Sequence, residues 1–203
     1  MSLSVRPYEG GYDLRFGSVK SPAGATKEVT VQAVSDLGRQ YQVVIFLLDP
    51  LASTAGQSIS AQNFFVAAVR GSNSQGNLSA QQEAPVSGAR TIVYTSSSSG
   101  LSDSFRLVFG LRGTLAPGNY RGRLACMIEP INASAAPVTV VVNVFADVSA
   151  DAQVEITTEH GTGALALSPR GPAPFTDSVS VLVTADMGRQ FRISQVMARP
   201  LEA

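Results

Sequence analysis

The stretch Lys27–Leu51, KEVTVQAVSDLGRQYQVVIFLLDPL, decides the fold, because the chain nearly repeats it at Asp177–Leu201, DSVSVLVTADMGRQFRISQVMARPL. The two stretches align without a gap at an offset of 150 residues. Identical positions are Val29/Val179, Val31/Val181, Asp36/Asp186, the Gly-Arg-Gln triplets that begin at Gly38 and Gly188, and Pro50-Leu51/Pro200-Leu201. Each copy has the pattern of a strand, a tight turn and a second strand, so we predict a repeated β-hairpin.

The first copy shows the pattern in detail. Apolar and polar residues alternate at its start, which predicts one buried strand face made of Val29, Val31 and Ala33. Gly38 supplies a backbone conformation that a tight turn needs. Tyr41–Leu48 is apolar on both faces at its end, as in a central strand. We expect Asp49-Pro50 to end this strand, since proline cannot donate to a sheet ladder.

Short strand patterns fill the remainder of the first 148 residues, separated by Gly, Pro, Ser and Asn turns. They are Tyr12–Val19, Asn63–Arg70, Ala89–Thr95, Phe105–Leu111, Tyr120–Ile128 and Val138–Val144. No segment has a helical period over the ten or more residues of a helix. Seven or eight strands of this kind predict an all-β, immunoglobulin-like antiparallel β-sandwich.

The second copy predicts an unusual domain organisation. Residues 1–148 should form a complete sandwich, whereas residues 149–203 repeat only residues 3–51 and should form half of one. Half a sandwich leaves an apolar face and strand edges uncovered. It could pack on the first domain, be completed by a neighbouring subunit, or continue beyond the residues given. We predict an assembly interface formed by Val179, Val181, Val183, Phe191 and Ile193.

Charge and hydropathy restrict the partners. The formal net charge is zero and only 15% of the 203 residues are charged, which argues against nucleic acid and anionic membranes. A near-zero charge also removes a barrier to self-association. No apolar run approaches the ~20 residues that span a bilayer, so we expect no transmembrane segment. The N-terminus MSLSVRPYEG does not resemble a signal peptide, so the chain is cytosolic or begins at a mature N-terminus.

Residues that carry chemistry are scarce. Cys126 and His160 are the single residues of their types, so no disulfide can form within the chain and no thiolate metal site can be drawn. Cys126 lies in an apolar strand pattern and should be a small buried residue. His160 lies in a Gly-rich segment with the pattern of an exposed turn. We therefore predict no enzyme activity, no metal site and no cofactor.

The repeated turns are the remaining candidate site. Their tips are Asp36, Gly38 and Arg39 in the first copy and Asp186, Gly188 and Arg189 in the second. Loops at the ends of sandwiches often bind partners, so the paired tips could recognise a carbohydrate or a protein. A turn with a fixed conformation would also repeat for structural reasons alone, and the structural explanation is the one we favour.

Three motifs carry a family resemblance. They are Leu14-Arg-Phe-Gly-Ser-Val19, the stretch Lys27–Val43 with its V-T-V, Gly and Tyr-x-Val positions, and Pro117-Gly-Asn-Tyr120. Together they resemble bacterial pilin-type sandwiches, in particular the spore-coat-U-like pilins of archaic chaperone–usher systems. The resemblance implies a secreted subunit without enzyme activity that assembles by donor-strand exchange. Such pilins carry a disulfide pair and a single domain, whereas this chain has one cysteine and an additional half.

Periplasmic pilus-assembly chaperones are the rival resemblance, since they have two immunoglobulin-like domains in a similar length. Their second domain is complete and does not copy the first. We therefore expect a non-enzymatic structural or assembly subunit at the cell surface or in the periplasm. Its expected partners are other copies or homologous subunits, with a secretion chaperone as a further candidate. An adhesin-like binding module and a pilus-assembly chaperone are the alternatives.

Overall fold

A computed structural model describes residues 1–8, 10–71, 75–132, 134–149, 152–158, 179–185, 192 and 194. The chain divides into two compact units, a first unit of Met1–Ala150 and a second unit of Asp151–Ala203. Each unit is described by itself below. The described residues form strands and connecting segments, with no helix among them.

Eleven strands lie in the described part of the first unit. They are β1 (Ser2–Pro7), β2 (Asp13–Lys20), β3 (Ala25–Val34), β4 (Tyr41–Ser53), β5 (Phe64–Arg70), β6 (Asn77–Leu78), β7 (Ala84–Pro85), β8 (Thr91–Thr95), β9 (Asp103–Leu111), β10 (Gly118–Pro130) and β11 (Val138–Ser149). The described strands of the second unit are β12 (Ala152–Thr158) and β13 (Val179–Ala185).

Two sheets make up the first unit. One has the strand order β1-β3-β9-β5-β7, and the other has the order β2-β11-β10-β4-β8-β6. Neighbouring strands are antiparallel, except that β2 runs parallel to β11. The chain changes sheet at every connection from β1 to β10, and of these eleven strands only β10 and β11 follow one another within the same sheet. The predicted all-β sandwich is confirmed.

The core lies between the two sheets. Side chains of the inner faces are almost fully buried, and the largest of them are aromatic. The Tyr94 and Phe105 rings stack with centroids 4.6 Å apart, and Phe64 lies about 6 Å from both Phe16 and Phe109. Aromatic pairs of this kind add to the free energy gained by burying their area. The sheets are therefore fixed to one another by large, complementary side chains.

Tyr120 fixes the connection into β10. Its hydroxyl donates a hydrogen bond to the carbonyl oxygen of Ala116 at 2.7 Å, four residues earlier. A buried tyrosine near the start of a strand that bonds back to the preceding backbone is the tyrosine corner of Greek-key sandwiches. The Pro117-Gly-Asn-Tyr120 motif therefore has a structural explanation, since it builds this corner.

The predicted hairpin in Lys27–Leu51 is wrong. β3 pairs with β1 and β9, whereas β4 pairs with β10 and β8 in the other sheet. Each strand thus has two partners from elsewhere in the chain, so the turn at Gly38, where φ is +59°, connects the two sheets. The alternation of Val29, Val31 and Ala33 is confirmed, since all three are buried.

The predicted end of β4 at Asp49-Pro50 is also wrong. The strand continues to Ser53, and its pairing with β10 shifts register between Arg121 and Leu124. Pro50 lies at this irregularity, where the ladder does not require the N–H that proline lacks. The sequence patterns also missed β1 and the two-residue strands β6 and β7.

Candidate functional site

The strand pair of the second unit has the register of the opening strand pair of the first. In the first unit, Leu3 pairs with Ala33 and Val5 pairs with Val31. In the second, Val154 pairs with Val183 and Ile156 pairs with Val181. Residues of β13 lie 150 positions after their β3 counterparts, and residues of β12 lie 151 positions after those of β1. The two pairs thus have the same arrangement of backbone partners.

The exposure of the shared face differs between the two pairs. Val29 and Val31 on β3 are 1% and 0% exposed. Their counterparts Val179 and Val181 on β13 are 39% and 40% exposed, and Val183 is half-buried. The three valines alternate with Ser180 and Leu182 along the strand, so they share one face of it. We call Val179, Val181 and Val183 the β13 face.

Two of the five predicted interface residues, Phe191 and Ile193, lie outside the described residues, as does His160. The second turn tip, Asp186, Gly188 and Arg189, lies outside them too. The structure therefore brings Val179, Val181 and Val183 together on one strand face. The grouping with Phe191 and Ile193 stays a prediction.

The first turn tip is exposed and held through its backbone. Gly38 has a left-handed φ of +59°, which favours glycine over residues with side chains. The backbone of Arg39 lies against Gly100, where any side chain would collide with it. The terminal amino group of Met1 donates a hydrogen bond to Asp36 at 3.2 Å, and this holds the pKa of that carboxyl below its ordinary value. Asp36 and Arg39 are both exposed.

A buried polar cluster that the sequence patterns missed centres on Asp103. Its carboxylate accepts hydrogen bonds from the Tyr94 hydroxyl at 2.6 Å, from the Gly76 N–H at 3.0 Å, and from the backbone N–H groups of Gln75 and Ser104. Burial alone would raise the pKa of Asp103, but the four hydrogen bonds outweigh it and hold the pKa below its ordinary value. The cluster therefore anchors residues 75 and 76 to β9.

This cluster did leave a signal in the sequence. Asp103 falls on the same strand phase as Phe105 and Leu107, which face the core. A carboxylate at an inward position requires hydrogen-bond partners. Tyr94 supplies one hydrogen-bond partner of Asp103. The ring of Tyr41 lies beside the ring of Tyr94, with centroids 6.0 Å apart. Burial raises the pKa of Tyr41 to about 12, and its hydroxyl donates to the carbonyl oxygen of Leu101 at 2.9 Å.

Among the described residues, no group of three or more His, Cys, Asp or Glu side chains could hold a metal ion. Cys126 is fully buried and free, as predicted, and burial raises its pKa to about 12. A thiol that is fully buried in apolar surroundings is inert as a nucleophile. Within the same part of the chain, no helix has the length and apolar character required to cross a membrane.

Comparison with known proteins gives likeness to solved structures only. No family model and no curated protein matches the chain. The similar structures include a family 123 glycoside hydrolase from Clostridium perfringens, with a TM-score of 0.42 and 11% identity over 73% of this chain and 27% of the hydrolase. They also include CfaE, the CFA/I adhesin of enterotoxigenic Escherichia coli, with a TM-score of 0.43 and 9% identity over 73% of this chain and 49% of the adhesin.

A third similar structure is the CssB subunit of the enterotoxigenic E. coli colonization factor CS6, complemented with a donor strand from CssA. Its TM-score is 0.35, with 16% identity over 72% of this chain and 97% of CssB. Adhesin and pilus subunits thus occur among the similar structures. This likeness does not indicate what the chain binds.

Proposed function

We propose that this chain is a non-enzymatic structural or assembly subunit of a bacterial surface or pilus-like structure, secreted to the periplasm or cell surface. One observation carries the proposal. The β12–β13 pair keeps the register of β1–β3, but Val179 and Val181 are about 40% exposed where Val29 and Val31 are buried. The second unit thus presents a strand face with the residues of a core position and the exposure of a surface position.

The free energy available on this face favours assembly. Burial of a fully exposed valine side chain stabilises a protein by roughly 1.5–3 kcal/mol, and Val179 and Val181 keep about 40% of their exposure, so a part of this gain remains available on the β13 face. In the first unit the equivalent face is covered by the six-stranded sheet. A β-sheet whose apolar face has no such cover gains by packing against another apolar sheet.

We infer that the cover is the β13 face of a second copy of the chain. The face is apolar, so two copies present complementary surfaces when related by a two-fold axis. The formal net charge of zero adds little long-range repulsion to such an association. Two half-sandwiches packed face to face would make the two-layered arrangement that the first unit makes within one chain. The proposal includes the predicted domain organisation, in which residues 149–203 repeat residues 3–51 and form half a sandwich.

Light scattering of the purified chain, measured across a concentration series, tests the proposal. The parent chain should show a mass that rises above 21.2 kDa with concentration. Val181→Asp places a carboxylate in the middle of the β13 face and should keep the chain at the single-chain mass. Ser180→Asp is the matched control, because it adds the same carboxylate to the opposite face of the same strand, and it should assemble as the parent does.

The near-ultraviolet circular dichroism of Tyr41, Tyr94 and Tyr120 reports the first unit and should be the same in all three proteins. Assembly of Val181→Asp with the mass profile of the parent would overturn the proposal. A parent chain of single-chain mass at every concentration would overturn it as well.

A further inference from the structure

A cleft of about 370 Å³ lies where the chain passes from β1 to β2. This volume falls at the small end of the range of roughly 300–1,000 Å³ for small-molecule sites. Residues from β2, from the start of β3 and from the segment between β1 and β2 line it. The cleft belongs to the first unit, and the β13 face belongs to the second.

Two tyrosines at this cleft are exposed to an unusual degree. Tyr8 is 82% exposed and Tyr12 is 78% exposed, whereas Tyr41, Tyr94 and Tyr120 are buried. An exposed tyrosine offers a flat apolar ring and a hydroxyl with little conformational entropy to lose, which is why such residues are enriched in binding surfaces. Both residues line the same cleft, so a single ligand can contact both of them.

Hydrogen bonds and glycine conformations define the backbone at Tyr8, Gly10 and Gly11. The N–H of Gly10 donates to the carbonyl of Pro7 at 3.0 Å, and the N–H of Tyr8 donates to the carbonyl of Glu28 at 3.0 Å. Gly10 and Gly11 have φ values of +88° and +79°. Two successive residues in this left-handed region require glycine. The backbone of Tyr8 and Gly10 is thus held by hydrogen bonds to Glu28 and Pro7.

The described charged residues that line the cleft balance one another. Asp13 and Glu28 are balanced by Arg15 and Lys27. The Arg15 guanidinium lies 2.6 Å from the Asp13 carboxylate, and Glu28 forms an ion pair with Arg106 at 2.8 Å. Charges that are already paired give an ionic ligand little gain. Carboxylates and guanidinium groups nevertheless keep further acceptor and donor positions. The lining therefore suits a neutral ligand with many hydroxyl groups.

We propose that this cleft binds a neutral carbohydrate. The Tyr8 and Tyr12 rings contact the apolar face of a sugar ring, and Asp13, Arg15, Lys27 and Glu28 exchange hydrogen bonds with its hydroxyls. The apolar face and the hydroxyl groups of such a ligand match the two exposed aromatic side chains of the cleft and its balanced hydrogen-bond donors and acceptors. The site differs from the turn tip at Asp36, Gly38 and Arg39 in its residues and in its strands.

The composition of the chain supplies the assay. There are five tyrosines and no tryptophan, so tyrosine emission is the intrinsic fluorescence, and a soluble quencher such as acrylamide reaches Tyr8 and Tyr12. The probes are glucose, galactose, mannose, N-acetylglucosamine and their short neutral oligomers. At least one probe should protect the emission from quenching in a saturable manner. Calorimetry with that probe then gives the affinity of each variant.

Tyr8→Ala and Tyr12→Ala should each weaken binding about tenfold or more, as loss of an aromatic contact at a binding site does. Tyr12→Phe keeps the ring and should bind within a fewfold of the parent. Leu101→Ala, which shortens an exposed side chain away from the cleft, should bind as the parent does. Far-ultraviolet circular dichroism checks that each variant is folded.

Three results would overturn the proposal. The first is that no probe protects the tyrosines, and the second is that both alanine variants bind as tightly as the parent. The third is that protection arises only when the chain itself is concentrated, which would make this surface a protein contact. The first two results have no bearing on the mass measurement that tests assembly, and Val181→Asp distinguishes the third from assembly through the β13 face.

Discussion

The β1–β3 pair of the first unit and the β12–β13 pair of the second unit have the same register but differ in exposure. In the first pair the valines of β3 pack under the six-stranded sheet, which consists of β2 and of five strands that follow β3 in the chain. In the second pair the valines of β13 remain partly open to solvent. The difference teaches that an alternating pattern specifies which face of a strand is apolar, while the rest of the chain decides whether that face is covered.

The largest expected effect comes from placing one substitution at the two equivalent positions. Val31→Asp puts an unpaired carboxylate at a fully buried site and should destabilise the first unit by about 4 kcal/mol or more. Val181→Asp should leave the unfolding of the first unit unchanged. Urea denaturation, monitored by tyrosine signals, measures both. Equal destabilisation by the two substitutions would contradict the difference between the pairs.

A smaller effect is expected at the buried carboxylate. Asp103→Asn removes the charge that accepts hydrogen bonds from Tyr94, Gly76 and Ser104, and it should destabilise the first unit by about 2–3 kcal/mol. Denaturation midpoints at neutral pH measure this loss. An unchanged midpoint would show that the cluster does not anchor residues 75 and 76.

The same carboxylate predicts a dependence on pH. The folded state lowers the pKa of Asp103 below the ordinary value of 3.8, so its stabilisation is present above that value and is lost as the pH falls through the lower, folded pKa. The difference in stability between the parent and Asp103→Asn should therefore shrink below about pH 4. A difference that stays constant from pH 7 to pH 3 would contradict this account.

Cys126 reports the opening of the first unit. It is the single cysteine and fully buried, with a pKa raised to about 12, so thiol reagents should modify it only when the sandwich opens. Labelling should be slow and equally slow in the parent and Val181→Asp, and fast in Val31→Asp. Fast labelling of the folded parent would show that the core is less closed than its burial indicates.

The smallest effect is expected at the exposed turn tip. Arg39→Ala removes an exposed side chain whose backbone is fixed by Gly100, and it should change the stability by no more than about 0.5 kcal/mol. The mass profile should also match that of the parent. Loss of assembly in this variant would move the interface from the β13 face to the tip.

The sequence predicted the fold class and the inward residues of the long strands, because alternation is a local property that each strand carries. It did not predict the partner of each strand. Val29 and Tyr41 lie in a stretch with the pattern of a hairpin, yet they belong to different sheets. The reason is that β3 pairs with β9 and β4 pairs with β10, two strands that lie far along the chain. Strand β1 was missed because it is short, and its pairing with β3 likewise depends on how the strands are arranged in the sheets.

The candidate sites were predictable to different degrees. The β13 face follows from the alternation of Val179, Val181 and Val183. The cleft beside Tyr8 and Tyr12 was not predicted, since its walls come from three separate segments that only the crossing of the chain between sheets brings together. The Asp103 cluster lies between these cases, because its inward phase is visible in the sequence and its partners Gln75 and Gly76 are not.

Hydrogen exchange of backbone amides, followed at several protein concentrations, tests the central claim most directly, since it compares both strand pairs in one sample. The account predicts that protection of Val179–Ala185 rises with concentration, whereas protection of Ala25–Val34 stays high and constant. Protection of Val179–Ala185 that is the same at every concentration would contradict the claim that a second copy covers the β13 face.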